Sequence, residues 1–101
     1  MRVSGFDWDD GNRLKCQKRG VSVAEVEALF ENSPRVAPDV KHSAAEDRMI
    51  ALGRTNAGRA LFVAFTLRTI NKRQFVRPVT ARYMHAREVA AYDEESATFE
   101  E

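Results

Sequence analysis

The sequence contains few of the residues that form structural cross-links. Cys16 is the single cysteine among 101 residues, so an internal disulfide is excluded. The two histidines, His42 and His85, are not grouped with each other or with Cys16 at the spacing of zinc ligands. The sequence therefore predicts a chain that uses no metal ion and no organic cofactor.

Long apolar runs are also missing. No stretch approaches the roughly 18 consecutive apolar residues of a membrane-spanning helix, and the first residues lack the apolar core of a signal peptide. We therefore expect a cytoplasmic protein without membrane contacts. A chain of 101 residues fits one domain with a modest hydrophobic core.

Acidic residues are absent from the stretch 48–87, which carries eight arginines and one lysine. Five acids are concentrated instead in residues 93–101, and without them sixteen basic residues face ten acidic ones, a net charge of +6. Because arginine can bind phosphate through two parallel hydrogen bonds, this pattern favours a polyanion as the partner. A solvated basic sheet face that keeps the protein soluble is the alternative.

Two N-terminal helices are predicted. Acidic residues at positions 9 and 10 suit the start of the first helix and Gly20 suits its end, with Leu14 and Cys16 among the residues that it can bury. Ser22 followed by Glu25 forms a capping box at the start of the second helix. Apolar residues then recur at intervals of three and four, which predicts one buried face.

The rest of the chain predicts a sheet and a last helix. An extended piece begins at residue 35, and three further segments, 48–53, 59–67 and 74–81, have the composition of strands. The segment 59–67 carries apolar residues on both faces, which is typical of a central strand. Pro78 requires its strand to lie at an edge or to contain a bulge, because proline lacks a backbone N–H.

The fold class is therefore α+β, with two N-terminal helices, a mainly antiparallel sheet of about four strands and one C-terminal helix over residues 84–92. Residues 1–92 form the predicted domain. Residues 93–101 form an acidic tail with too little apolar content for order of its own, and we predict that it is disordered.

Cleavage of RNA without a metal needs a base for the 2′-hydroxyl, positive charge at the phosphorane and a proton for the leaving oxygen. Arginines supply the charge. His42 and Glu46 are candidates for proton transfer because they lie in a polar loop just before a basic strand. The alternative is that His42 is an exposed loop residue and that Glu46 only pairs with Arg48 or Arg54.

The densest cluster of polar side chains lies at residues 77–85. Arg77 and Arg82 project to opposite faces of an unbroken strand, so both reach one phosphate only if a bulge or turn re-aims one of them. Arg82 is the preferred phosphate ligand. Tyr83 can stack on a base or donate a proton, and His85 can exchange protons near neutral pH. A packed tyrosine and a solvent-facing histidine are the alternatives.

Trp8 and Cys16 have both structural and functional interpretations. Trp8 is a possible platform for base stacking, but a lone tryptophan in a small chain is more often a core residue, and we favour the core. Cys16 has no evident histidine partner, so we treat it as structural.

An ordered set of short motifs runs from residue 6 to residue 92. It comprises FDWDDGN at 6–12, KC at 15–16, GVS at 20–22, HS at 42–43, EDR at 46–48, GRT at 53–55, GR at 58–59, LFV at 61–63, FT at 65–66 and RPVTARYMH at 77–85, followed by Glu88 and Tyr92. In order and spacing, this set resembles the BrnT family of toxins.

The resemblance implies a RelE-like ribonuclease fold and cleavage of RNA that arrests bacterial growth. It also implies a cognate BrnA-type ribbon-helix-helix antitoxin, with operator DNA bound only through that antitoxin. The polar residues that match the family pattern are His42, Glu46, Arg48, Arg54, Arg77, Arg82 and Tyr92. The family commonly has Lys-His-Gly where this chain has Lys18, Arg19 and Gly20, so a histidine is missing here.

Two hypotheses follow. The first is a metal-independent endoribonuclease of a type II toxin-antitoxin system. Its predicted catalytic residues are Glu46, His42, Arg82, Arg77 and His85, and its predicted RNA-binding residues are Arg48, Arg54, Arg59, Arg73 and Tyr83. The second is a non-catalytic module that uses the same basic surface to bind nucleic acid or an antitoxin.

Overall fold

The computed structural model describes residues 3–41 and 47–100, which contain three helices and five strands. In chain order the elements are β1 (Gly5–Phe6), α1 (Asp10–Gln17), α2 (Val23–Glu31), β2 (Arg35–Pro38), β3 (Met49–Arg54), β4 (Ala60–Ile70), β5 (Arg73–Tyr83) and α3 (Ala86–Glu100). The α+β class is confirmed, as is the order of two helices, a sheet and a last helix. Within the described residues, no helix has the length and apolar character needed to cross a membrane.

The strands form one sheet in the order β1-β5-β4-β3-β2. Strands β2 to β5 pair antiparallel in sequence, and β1 pairs parallel with β5. The prediction of about four strands missed β1, because two residues are too few for an alternating pattern to be recognised. Backbone hydrogen bonds hold β1, from Ser4 N to Gln74 O at 2.7 Å and from Asp7 N to Val76 O at 2.8 Å.

Both N-terminal helices begin at capping boxes. Ser22 and Glu25 exchange side-chain and backbone hydrogen bonds at the start of α2, as predicted, and Asp9 and Asn12 do the same at the start of α1. Replacing such a cap by alanine typically costs about 1 kcal/mol. α1 ends at Gln17, short of the predicted end at residue 20.

Helix α1 lies against β5 and buries Asn12 and Cys16. The prediction that Leu14 is buried is wrong, since this residue is 71% exposed. With 3.6 residues per turn, a position two residues from both 12 and 16 lies on the opposite side of the helix. Asn12 Nδ2 donates to the carbonyl oxygens of Asp7 and Pro78, both at 2.9 Å, and so ties the helix to the sheet.

The hydrophobic core lies between α2 and one face of β4. Leu61, Val63 and Phe65 share this face and are fully buried, together with Val26 and Leu29 of α2. Each such side chain contributes about 1.5–3 kcal/mol by leaving water. β4 is the middle strand of the sheet, as the sequence predicts.

A β-bulge at Val79 changes the alternation of side chains along β5. The pairing with β4 passes from Pro78 directly to Thr80, which leaves Val79 as an extra residue. This confirms that the strand is bulged near the proline. Arg77 and Arg82 consequently lie opposite residues of β4 that share one face, whereas an unbroken strand would place them on opposite faces.

Helix α3 lies over the second face of the sheet, the face turned away from α1 and α2. Arg35 and Arg54 project from this face and form ion pairs with Glu95 and Asp93 of α3, each at 2.8 Å. α3 continues past residue 92, where the sequence predicts its end, and its acids at positions 93 and 95 pair with arginines of the sheet. The division into a domain at 1–92 and a tail at 93–101 stays a prediction.

Candidate functional site

The end of β5 brings four predicted site residues together. Arg82 and Tyr83 are neighbours in the strand and so project to opposite faces, and His85 lies just before the first residue of α3. An open cavity of about 490 Å³ is lined by Arg19, Arg82, Tyr83, Met84 and His85. Arg59 joins the group because its guanidinium carbon lies 3.5 Å from the centre of the Tyr83 ring.

Arg82 is held by a bidentate ion pair with Glu88. Its two terminal nitrogens donate to the two carboxylate oxygens at 2.7 and 2.9 Å, and its guanidinium carbon lies 4.3 Å from the centre of the Phe62 ring. Glu88 also accepts a hydrogen bond from the backbone N of His85 at 2.9 Å. The hydrogen bonds from Arg82 and then His85 lower the pKa of Glu88 from 4.5 to about 2. The pair therefore stays charged at neutral pH, and it anchors the start of α3.

Tyr83 is fixed by a second carboxylate. Its hydroxyl donates to Glu25, whose two oxygens lie 2.9 and 3.0 Å away, and this hydrogen bond raises the pKa of Tyr83. Partial burial opposes ionisation of Glu25, but hydrogen bonds from Ser22 and Tyr83 and the charge of Arg59 together lower its pKa. Tyr83 is thus a neutral phenol with its ring under a guanidinium, which suits it to stacking and positioning.

Arg77 does not join this group. It lies about 15 Å from Arg82 along the strand and donates to Asp7 at 3.3 Å and to Asp9 at 2.6 Å. The hydrogen bond to Asp9 raises the pKa of Arg77, and the backbone hydrogen bond from Asn12 and then the bond from Arg77 lower that of Asp9. These contacts link β5 to the start of α1, and the catalytic role predicted for Arg77 stays a prediction.

The remaining predicted arginines are spread over the sheet. Arg54 donates to both oxygens of Asp93 at 2.8 Å and to the carbonyl of Gly58 at 2.8 Å. Arg48 lies 3.4 Å from Asp39, and Arg73 is exposed at the far end of the β4–β5 hairpin. The described arginines therefore do not form a single binding surface.

Two predicted catalytic residues, His42 and Glu46, lie outside the described residues, so their roles stay predictions. The structure favours the core for Trp8, which packs against the buried cluster and donates its indole N–H to Glu27 at 2.9 Å. Cys16 is fully buried, and burial raises the pKa of its thiol to about 11. This agrees with its interpretation as a structural residue.

Sequence reasoning missed two residues that now stand out. Glu25 was recognised only as part of a capping box, although its carboxylate also holds Tyr83 across 58 positions of the chain. Arg35 carried no local signal, since its partner Glu95 lies 60 positions away. Neither contact can be read from spacing, because both join elements that meet only in the folded sheet.

No metal centre is evident in the part of the chain that the structure describes, where no three His, Cys, Asp or Glu side chains are grouped as metal ligands. The arrangement at the end of β5 offers other chemistry. The guanidinium of Arg82 can bind a phosphate at the cavity, that of Arg59 adds positive charge over the Tyr83 ring, and the imidazole of His85 is a candidate group for proton transfer.

A comparison with protein-family models matches residues 8–88 to a family described as the ribonuclease toxin BrnT of type II toxin-antitoxin systems. A search of curated proteins gave no match. The match covers well over half of the chain and includes β5, the end of which carries Arg82, Tyr83 and the adjacent cavity. The chain belongs to the BrnT family of ribonuclease toxins of type II toxin-antitoxin systems.

Proposed function

We propose that this chain is a metal-independent endoribonuclease that acts in the bacterial cytoplasm and cleaves RNA at the end of β5. One observation carries the proposal: Arg82, Tyr83 and His85 line one open cavity, and the guanidinium of Arg59 lies over the Tyr83 ring. Together with membership of a ribonuclease toxin family, this grouping supports a site at which phosphate-binding and proton-transfer groups act on one phosphodiester.

Each group has a distinct part in the proposed reaction. Arg82 binds the scissile phosphate and stabilises the negative charge that develops in the phosphorane, and Arg59 adds positive charge from its position over the Tyr83 ring. His85 donates a proton to the leaving 5′-oxygen, and Glu46 or His42, from the segment before β3, takes the proton of the 2′-hydroxyl. Glu88 and the carbonyl of Tyr83 accept hydrogen bonds from three of the five N–H groups of Arg82, so Arg82 must exchange part of this pairing for a contact with the phosphate.

The fold and the partner belong to the same proposal. We infer a RelE-like ribonuclease fold and a cognate BrnA-like ribbon-helix-helix antitoxin, which would connect the toxin to operator DNA. Membership of a type II toxin-antitoxin family supports a protein antitoxin. The three acids of α3 that pair with arginines suggest the chemistry by which an acidic partner segment could bind.

The alternative is a module that binds RNA or an antitoxin without turnover. The bidentate pairing of Arg82 with Glu88 favours it, because a catalytic arginine in this state must first be released. This module predicts salt-dependent RNA binding with no cleavage.

The two candidates are separated by incubating antitoxin-free protein with a defined single-stranded RNA in EDTA. The ribonuclease yields products with 2′,3′-cyclic phosphate ends, and Arg82→Ala and His85→Ala reduce the rate by about 100-fold or more. Arg13→Ala, at an exposed position of α1, is the matched control and cleaves like the unaltered protein. Arg82→Lys keeps the charge but not the paired hydrogen bonds, and it serves as the conservative variant in case Arg82→Ala fails to fold. Intact RNA that nevertheless binds in a salt-dependent way would overturn the proposal of free catalysis.

A further inference from the structure

Helix α3 places an acid against each of three arginines on the second face of the sheet. Glu88 pairs with Arg82, Asp93 with Arg54 and Glu95 with Arg35. Glu88 and Glu95, seven residues apart, lie on one side of the helix, and Asp93 reaches the sheet from its other flank. Carboxylates therefore occupy the positions at which this face would otherwise attract an anion.

The two later pairs are exposed enough to exchange. The side chains of Asp93 and Glu95 are 53% and 65% accessible to solvent, and that of Arg54 is 40% accessible. Ion pairs of this kind contribute little to stability. Over residues 86–95, only Glu88, Val89 and Tyr92 are more than marginally covered. Helix α3 thus covers this face of the sheet with few apolar contacts.

An apolar groove of about 310 Å³ lies between α3 and the sheet. Its floor includes Ile50, Leu52 and Phe62, and Tyr92 forms part of the wall. The guanidinium carbon of Arg35 lies over the Tyr92 ring, 4.6 Å from its centre, so a positive charge lies beside an aromatic side chain of the groove. A groove with aromatic sides and arginines at its rim matches an unstacked nucleobase joined to phosphates.

We propose that this groove is a second subsite for single-stranded RNA, in which phosphates replace the carboxylates of Asp93 and Glu95 on Arg54 and Arg35. In the resting protein α3 covers the subsite. A single strand fits because its bases are free to enter the groove, whereas a duplex keeps its bases stacked inside. The inference rests on the proposed function only in taking RNA as the ligand, and it adds a groove on the second face of the sheet that shares Met84 with the lining of the cleavage cavity.

The test is the salt dependence of binding to a fluorescent, 2′-O-methylated single-stranded RNA, which cannot be cleaved. The double variant Asp93→Asn, Glu95→Gln removes both carboxylates from the sheet arginines. Each new phosphate contact steepens the slope of log K against log salt by about 0.7 for a single strand. The double variant is therefore expected to bind more tightly and to have a slope steeper by about 1.4, which is two such contacts.

A charge-matched control distinguishes direct phosphate contacts from the general effect of a higher net charge. The variant Asp10→Asn, Glu31→Gln changes the net charge equally at exposed positions on α1 and α2. It raises affinity at most slightly and leaves the slope unchanged. Adding Arg35→Gln to the α3 variant removes about half of the gain in slope, because one of the two contacts is lost.

Equal slopes for the α3 variant and its control overturn the inference, and so does the absence of RNA binding in every variant. Cleavage of unmodified RNA is scored separately. A protein that gains the expected slope but cleaves no RNA overturns the proposed function while the second subsite stands. A protein that cleaves RNA with no change in slope overturns the subsite alone.

Discussion

Glu88→Gln tests whether the ion pair between Arg82 and Glu88 stabilises the fold. Glutamine resembles the protonated acid in shape, so the variant removes the charge and one strong acceptor without opening a cavity. The fall in the pKa of Glu88 from 4.5 to about 2 would correspond to about 3 kcal/mol if it were realised in full. Because the Glu88 side chain is 38% exposed, solvent screening reduces the expected loss to about 1 kcal/mol.

The same pair has a definite pH dependence. The pKa of Glu88 is lower in the folded than in the unfolded chain, so its contribution is complete above about 4.5 and is lost as pH falls towards about 2. Urea unfolding at pH 6.5 and pH 3 measures the difference in free energy of unfolding between the unaltered protein and Glu88→Gln. We expect about 1 kcal/mol at pH 6.5 and less than half of that at pH 3. A difference of the same size at both pH values would refute the reasoning, and Glu31→Gln, at an exposed position of α2, is the control.

Three further outcomes are expected. Gly53→Ala lowers the thermal midpoint and reduces the free energy of unfolding by about 1–3 kcal/mol, because the added methyl lies 2.7 Å from a Leu29 methyl in the core. An unchanged midpoint would mean that Leu29 moves freely. Asn12→Ala costs about 2 kcal/mol in urea unfolding, because the Pro78 carbonyl loses its donor, and a loss below half of that would count against the clamp. Cys16 reacts with a thiol reagent at pH 8 far more slowly in the native protein than in urea, and equal rates would contradict its burial.

Local chemistry explains which elements the sequence could predict. The capping box of Ser22 and Glu25 joins positions three apart, and the bulge near Pro78 follows from a missing N–H in one residue. The alternation of Leu61, Val63 and Phe65 likewise depends only on the geometry of a strand. Such features need no knowledge of the rest of the chain, which is why they were confirmed with shifts of a few residues at the ends.

The candidate site was predictable only in part, for the opposite reason. Arg82, Tyr83 and His85 come together because they are close in sequence, so their grouping could be foreseen. The arrival of Arg59 at the ring of Tyr83 could not, because it depends on the register between β4 and β5. The pairing of Arg77 with acids about 70 residues away was equally hidden.

The sequence by itself determined the α+β class, the family and the position of the arginine-rich strands, since these depend on composition, periodicity and ordered motifs. Only the tertiary structure decided which acid each arginine meets and which face each occupies. A single extra residue at Val79 reverses the facing of every side chain that precedes it in β5 relative to those after it. The pairing register of β5 and the placement of α3 determine which acid each arginine meets. Neither can be read from the residues next to each arginine.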